Sequence, residues 1–230
     1  MRRVLCMTAL ATAMPVFADI DRVYHPYVQP LETELEWRAT QVDDGGDSFD
    51  AEQLHRFAFG RSIGERTFAE VYINARKTEQ QHFSVSGFEL EALYQLTEPG
   101  EYGIDWGVLA EFERDTDRNI SEFGGRLIAE KELGETSLAL NLIAEYEYGT
   151  GIDDELEFGG AAQWRWRLSE VFEPALEYYV DDGTHGIGPV LLGTQRLGAA
   201  KKLKWEFGVI FGASSDTPDR TWRAQLEFEF

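Results

Sequence analysis

Hydrophobic and polar residues alternate with a period of two along most of the chain. The last ten residues show the pattern most clearly. Trp222, Ala224, Leu226, Phe228 and Phe230 fall on one face, and Arg223, Gln225, Glu227 and Glu229 on the other. Alternation of this kind marks a strand with one apolar side, because successive side chains point to opposite faces. The same reading predicts about twelve strands of roughly ten residues, at 29–40, 52–61, 67–76, 83–96, 101–113, 120–132, 136–148, 155–168, 171–181, 187–197, 201–212 and 220–230. No 3.6-residue periodicity, linker or internal repeat beyond the hairpin rhythm interrupts them.

About ten residues suffice for a tilted strand to cross a bilayer, and an even number of strands suits a single-chain barrel. The connections suggest two classes. Longer ones fall at Asp43 to Ser48, Lys77 to Gln81, Arg114 to Asn119, Gly149 to Asp154, Asp182 to Gly186 and Ala213 to Asp219. Tighter ones fall at Ser62 to Glu65, Thr97 to Gly100, Leu133 to Glu135, Leu168 to Glu170 and Leu197 to Ala200. Short turns at one end and longer loops at the other are the habit of transmembrane barrels.

The amino-terminal residues 1–18 have a basic start, a short apolar stretch and a small-residue end, which predicts a secretory signal peptide cleaved after Ala18. The only cysteine, Cys6, and all three methionines lie within it, so the mature chain has no thiolate or thioether ligand. The formal net charge is −21, and loss of Arg2 and Arg3 takes it to about −23, which argues against a nucleic-acid partner. An aromatic content of 13% is too high for a disordered acidic polymer.

With its closing aromatic strand, leader and strand count, the chain resembles Gram-negative outer-membrane β-barrel proteins. In these the end carrying Phe228 and Phe230 serves as the assembly signal. The resemblance implies an all-β, antiparallel up-and-down barrel over 29–230, with both ends in the periplasm. It also implies outer-membrane lipid, lipopolysaccharide and the barrel-assembly machinery as partners. An outer face apolar all round favours a monomer. Size and acidic hairpins are loosely similar to copper-resistance B barrels, but these carry Met- and His-rich segments absent from this chain. Residues 19–28 read as a periplasmic tail; the alternative is a plug in the barrel mouth, with Tyr24 and Tyr27 as gating residues.

Alternation sorts the side chains into two faces. Trp37, Trp106, Trp164, Trp166, Trp205 and Trp222 fall on the lipid face, as an interfacial girdle requires. The lumen face carries Glu34, Glu36, Glu89, Glu91, Asp105, Glu111 and Glu145 among many acids, with Arg126, Arg165 and Arg167 among fewer bases. Rings of Asp and Glu select cations, so a passive, cation-preferring pathway for small solutes is one expectation. A salt-bridge lattice filling a non-conducting structural or partner-docking barrel is the other. A lipid-modifying enzyme is a remote third: His82, Ser84 and the neighbouring His55 make a poor match to a nucleophile and base. No cofactor is expected beyond weak Ca²⁺ or Mg²⁺ association at the acidic loops 151–155 and 181–185.

Overall fold

The computed structural model describes residues 20–43, 52–78, 81–181, 183–215 and 217–230. The leader, Asp44 to Ser48 of the first long loop, Glu79, Gln80, Asp182 and Asp216 lie outside the described residues. Twelve antiparallel strands form one closed barrel in sequence order, sealed by pairing of the first with the last. They are β1 Thr33–Asp43, β2 Gln53–Ile63, β3 Thr67–Thr78, β4 Gln81–Gln95, β5 Asp105–Asp115 and β6 Ile120–Leu133. The second half comprises β7 Thr136–Gly149, β8 Glu155–Trp166, β9 Glu173–Val180, β10 His185–Arg196, β11 Lys202–Gly212 and β12 Arg220–Glu229. Closure leaves no edge strand with unpaired backbone groups, the condition for a sheet to lie in hydrocarbon.

Thr33 and Phe230 meet at one end, where the Phe230 amide donates to the Thr33 carbonyl at 2.9 Å; this is called the near end. Two predicted strand starts move by four residues, the others by no more than two. β1 begins at Thr33 rather than residue 29, because Leu31 adopts a left-handed conformation at φ 67° and ends the preceding extended segment. β5 begins at Asp105 rather than 101. There the Gly100 amide donates to the Asp105 carboxylate and the Trp106 amide to Thr97 Oγ1, so side chains hold the loop 96–104 out of the ladder. The difference in loop lengths between the ends disappears with these shifts. Connections span three, nine, two, six and five residues at the near end, against nine, two, four, five, four and seven at the far end.

Burial alternates along much of the strands, most regularly in β2, β9 and β12. The large exposed apolar side chains are outward-facing ones such as Phe57, Phe59, Val71, Ile73, Leu140 and Leu142. In water this surface would be unsupportable; in hydrocarbon it is the favourable one. The acids named above point inward, and Glu34, Glu36, Glu89, Glu91, Asp105, Glu111 and Glu130 are buried.

Candidate functional site: the occupied lumen

The lumen is not empty. Residues 20–32 run inside the barrel from the far half to the near end, where they turn into β1, instead of hanging free as a tail. Ile20 lies beside Ile210, both buried in one cluster. The Val28 amide donates to Gln95 Oε1 at 2.8 Å near the opposite mouth. The segment has no repeating secondary structure, so the wall must satisfy its backbone groups. Asn141 takes two of them: its Oδ1 accepts from the Tyr24 amide at 2.8 Å and its Nδ2 donates to the Tyr24 carbonyl at 2.9 Å. Gly107 makes room for the chain, since a Cβ there would stand 3.0 Å from the Pro26 Cβ.

Apolar and charged contacts share the anchoring. Ile20 and Val23 pack with Ala139, Ala161, Ala175, Val190, Leu192 and Ile210, and Tyr24 packs on Leu109 and Ile128. Tyr24 is the centre of the segment. Its hydroxyl donates to Glu91 at 2.5 Å, and the guanidinia of Arg22 and Arg126 lie 4.4 and 5.0 Å from its ring centroid, within cation–π range. Asp21 pairs with both Arg38 and Arg56. His25 contacts Glu130 at 2.7 Å, and the Tyr27 hydroxyl donates to Asp105 at 2.9 Å.

The wall charges form a continuous lattice around the segment. Arg38 donates to Glu36 and to the Tyr72 hydroxyl, at 2.7 and 2.6 Å. Arg126 reaches Glu111 and Glu145 at 3.2 and 3.4 Å. Arg165 reaches Glu130 and Glu173, and Arg167 joins Glu130 and Glu132 at the near rim. Arg223 binds Glu177 and Glu206. Buried ions are costly to leave single, so such pairs fix geometry more than they add stability.

Two chambers remain on either side of the segment. The far-end chamber, about 200 Å³, is lined by eleven carboxylates and four guanidinia. The near-end chamber, about 300 Å³, is lined by Tyr24, Tyr27, Glu34, Glu70, Lys204 and Glu227 among others. Among the described residues, the carboxylate groups compact enough to hold an ion lie in the lumen, not in the acidic loops. In those loops, Asp154 accepts from the Tyr146 hydroxyl at 3.0 Å, and His185 Nδ1 contacts the Tyr178 hydroxyl at 2.8 Å.

The other sequence candidates separate clearly. On the outer surface Trp106, Trp164, Trp166 and Trp205 lie toward the near end, Trp222 toward the far end and Trp37 in mid-strand. Phe228 and Phe230 stack at 5.7 Å on the outer face. The enzyme-like group is dispersed. His55 accepts from Trp37 Nε1 and packs edge-on against Phe83 at 5.1 Å, whereas Ser84 stands on the opposite face of β4 from Phe83. Sequence reading missed Asp21, Tyr72, Gln95 and Asn141. The available signal was a set of apolar residues on the inner face (Leu109, Ile128, Leu192, Ile210), which a water-filled lumen would not carry.

A closed twelve-stranded barrel, apolar outside and charged within, has the fold of bacterial outer-membrane β-barrels and an exterior suited to a lipid bilayer. No protein-family model matches the chain, and no curated protein matches it. A solved KdgM porin in complex with disordered oligogalacturonate shares the fold with a TM-score of 0.58 and 11% identity, over 86% of this chain and 98% of that one. The translocator domain of the autotransporter NalP from Neisseria meningitidis aligns at 0.48 with 13% identity, over 89% of each chain. OmpT, an outer membrane protein of Vibrio cholerae, aligns at 0.41 in its loop-deletion form, with 6% identity, over 87% of this chain and 98% of that one.

Proposed function

We propose that this barrel is a narrow outer-membrane pore, closed at rest by residues 20–32, that passes small cations and neutral solutes when the segment shifts. The observation that carries the reading is the lining of the far-end chamber, with its excess of carboxylates over guanidinia. Such a wall concentrates cations and repels anions. Glu91 and Glu89 have the central role, because Glu91 binds Tyr24 and Glu89 faces Arg56 where the segment narrows the passage. With both ends of the chain at the near end and that end in the periplasm, the far-end chamber faces the cell exterior. The indoles anchor the barrel in lipid, Phe228 and Phe230 engage the assembly machinery, and no catalytic role is assigned. The similar fold of a porin supports a conduit.

A second reading is favoured by the fit of the segment itself. Two hydrogen bonds from Asn141 and the ion pairs of Asp21 suit a permanent strap, which would make the barrel a non-conducting scaffold. Planar-bilayer recordings under a KCl gradient separate the two. Discrete openings with a K⁺-favouring reversal potential are expected, with the preference reduced in the Glu89→Gln, Glu91→Gln double variant. Persistent silence, or a reversal potential favouring Cl⁻, rejects the pore.

A further inference from the structure

Three carboxylates, Glu34, Glu36 and Glu70, converge beside the near-end chamber, which Glu34 and Glu70 line. Glu34 and Glu36 are two apart on β1 and share its inner face. Glu70 comes from β3, and the residue between them on β2 is Gly60, register partner of both Glu34 and Glu70. The missing side chain lets the acids approach across β2, since a Cβ at Gly60 would lie 2.9 Å from the Glu70 Cγ and 2.6 Å from the Phe68 ring. One oxygen from each of the three carboxylates lies within 4.8 Å of the others. All three residues are at least nine-tenths buried.

Their partners are unequal. Glu36 Oε2 accepts from Arg22 and Gln225, while Oε1 accepts from Arg38 and keeps a lone pair. Glu70, 6% exposed, is different: among the described residues its Oε1 has no hydrogen-bond partner and the carboxylate no ion pair. A buried carboxylate aimed at two others without a donor is an unfavourable arrangement unless something neutralises it. Carboxylate oxygens around one Ca²⁺ sit about 2.3–2.6 Å from it, so two of its ligands stand no more than roughly 5 Å apart, a limit that these three oxygens meet. The donor set is hard oxygen throughout, which suits Ca²⁺ and gives soft metals nothing to prefer. The adjoining chamber of about 300 Å³ has room for water ligands and a path to the near mouth.

We propose that Glu34, Glu36 and Glu70 form a calcium site inside the barrel wall. The site requires only the closed barrel and stands whether or not the lumen conducts. Its test is calorimetric titration of the EDTA-stripped, refolded protein with CaCl₂, comparing wild type with Glu70→Gln. One Ca²⁺ per barrel is expected in the wild type, with affinity lowered at least tenfold in Glu70→Gln. No binding, or equal binding by both proteins, overturns the site and leaves Glu70 neutralised by a proton. Should Glu70→Gln fail to refold, wild-type crystals grown with Tb³⁺ decide. An anomalous peak among the three carboxylates supports the site, and peaks confined to the acidic loops overturn it.

Discussion

Glu32 shows how single residues set the behaviour of the near mouth. It closes the lumen segment just before β1 and lies 3.5 Å from Lys204. Burial raises its carboxyl most; Lys204 pulls it back, and the Glu229 and Glu227 carboxyls add to the rise, leaving it pushed up from 4.5 to about 7. The folded protein therefore holds this proton more tightly than the unfolded chain. Its contribution to stability is fully present below about pH 4.5 and is lost as the pH rises to about 7. Urea-unfolding midpoints in detergent should fall over that window in the wild type and fall less in Glu32→Gln. Equal declines in the two proteins would show that other groups carry the pH dependence.

At the scale of elements, strand pairing is limited by the few places where two backbones come closest. Gly188 is one: a Cβ there would meet the Val209 carbonyl oxygen at 1.8 Å, and the adjacent Pro189 has no amide for the ladder. Gly188→Ala should push β10 from β11 and lower stability by about 1–3 kcal/mol. Gly103→Ala, where nothing lies within 4 Å, should change it by no more than about 0.5 kcal/mol. Denaturant midpoints of the two variants check the contrast; equal losses would contradict it. The strands themselves were legible because a period of two needs only near neighbours in the chain, and the faces of Glu34, Glu89, Glu111 and the six indoles followed from it. The path of residues 20–32 was not legible in the same way. Its partners are remote, with Tyr24 meeting Glu91 and Asn141 from 67 and 117 residues away, and no local periodicity records such a contact. Composition also misled at the loops: Thr97 to Gly100 reads as a tight turn, yet Thr97 and Asp105 together cap a nine-residue connection.

At the scale of the whole molecule, the barrel is a wall and the amino-terminal segment is its contents. The wall supplies an apolar exterior suited to the membrane and an interior rich in carboxylates, the feature on which the proposed cation preference rests. The segment divides that interior into two chambers, so passage through the molecule depends on whether it can leave its seat. Pro26 and Gly107 offer a direct handle, because their Cβ positions would stand 3.0 Å apart and a disulfide needs about 3.5–4.5 Å, a small adjustment. The only native cysteine, Cys6, precedes the segment and lies in the predicted leader. The decisive measurement is therefore the bilayer conductance of a Pro26→Cys, Gly107→Cys double variant before and after reduction. A segment that gates a cation path predicts silence when the pair is oxidised and K⁺-selective openings once it is reduced. Equal conductance in both states, or failure of the pair to cross-link in the folded barrel, would contradict a lumen closed by residues 20–32.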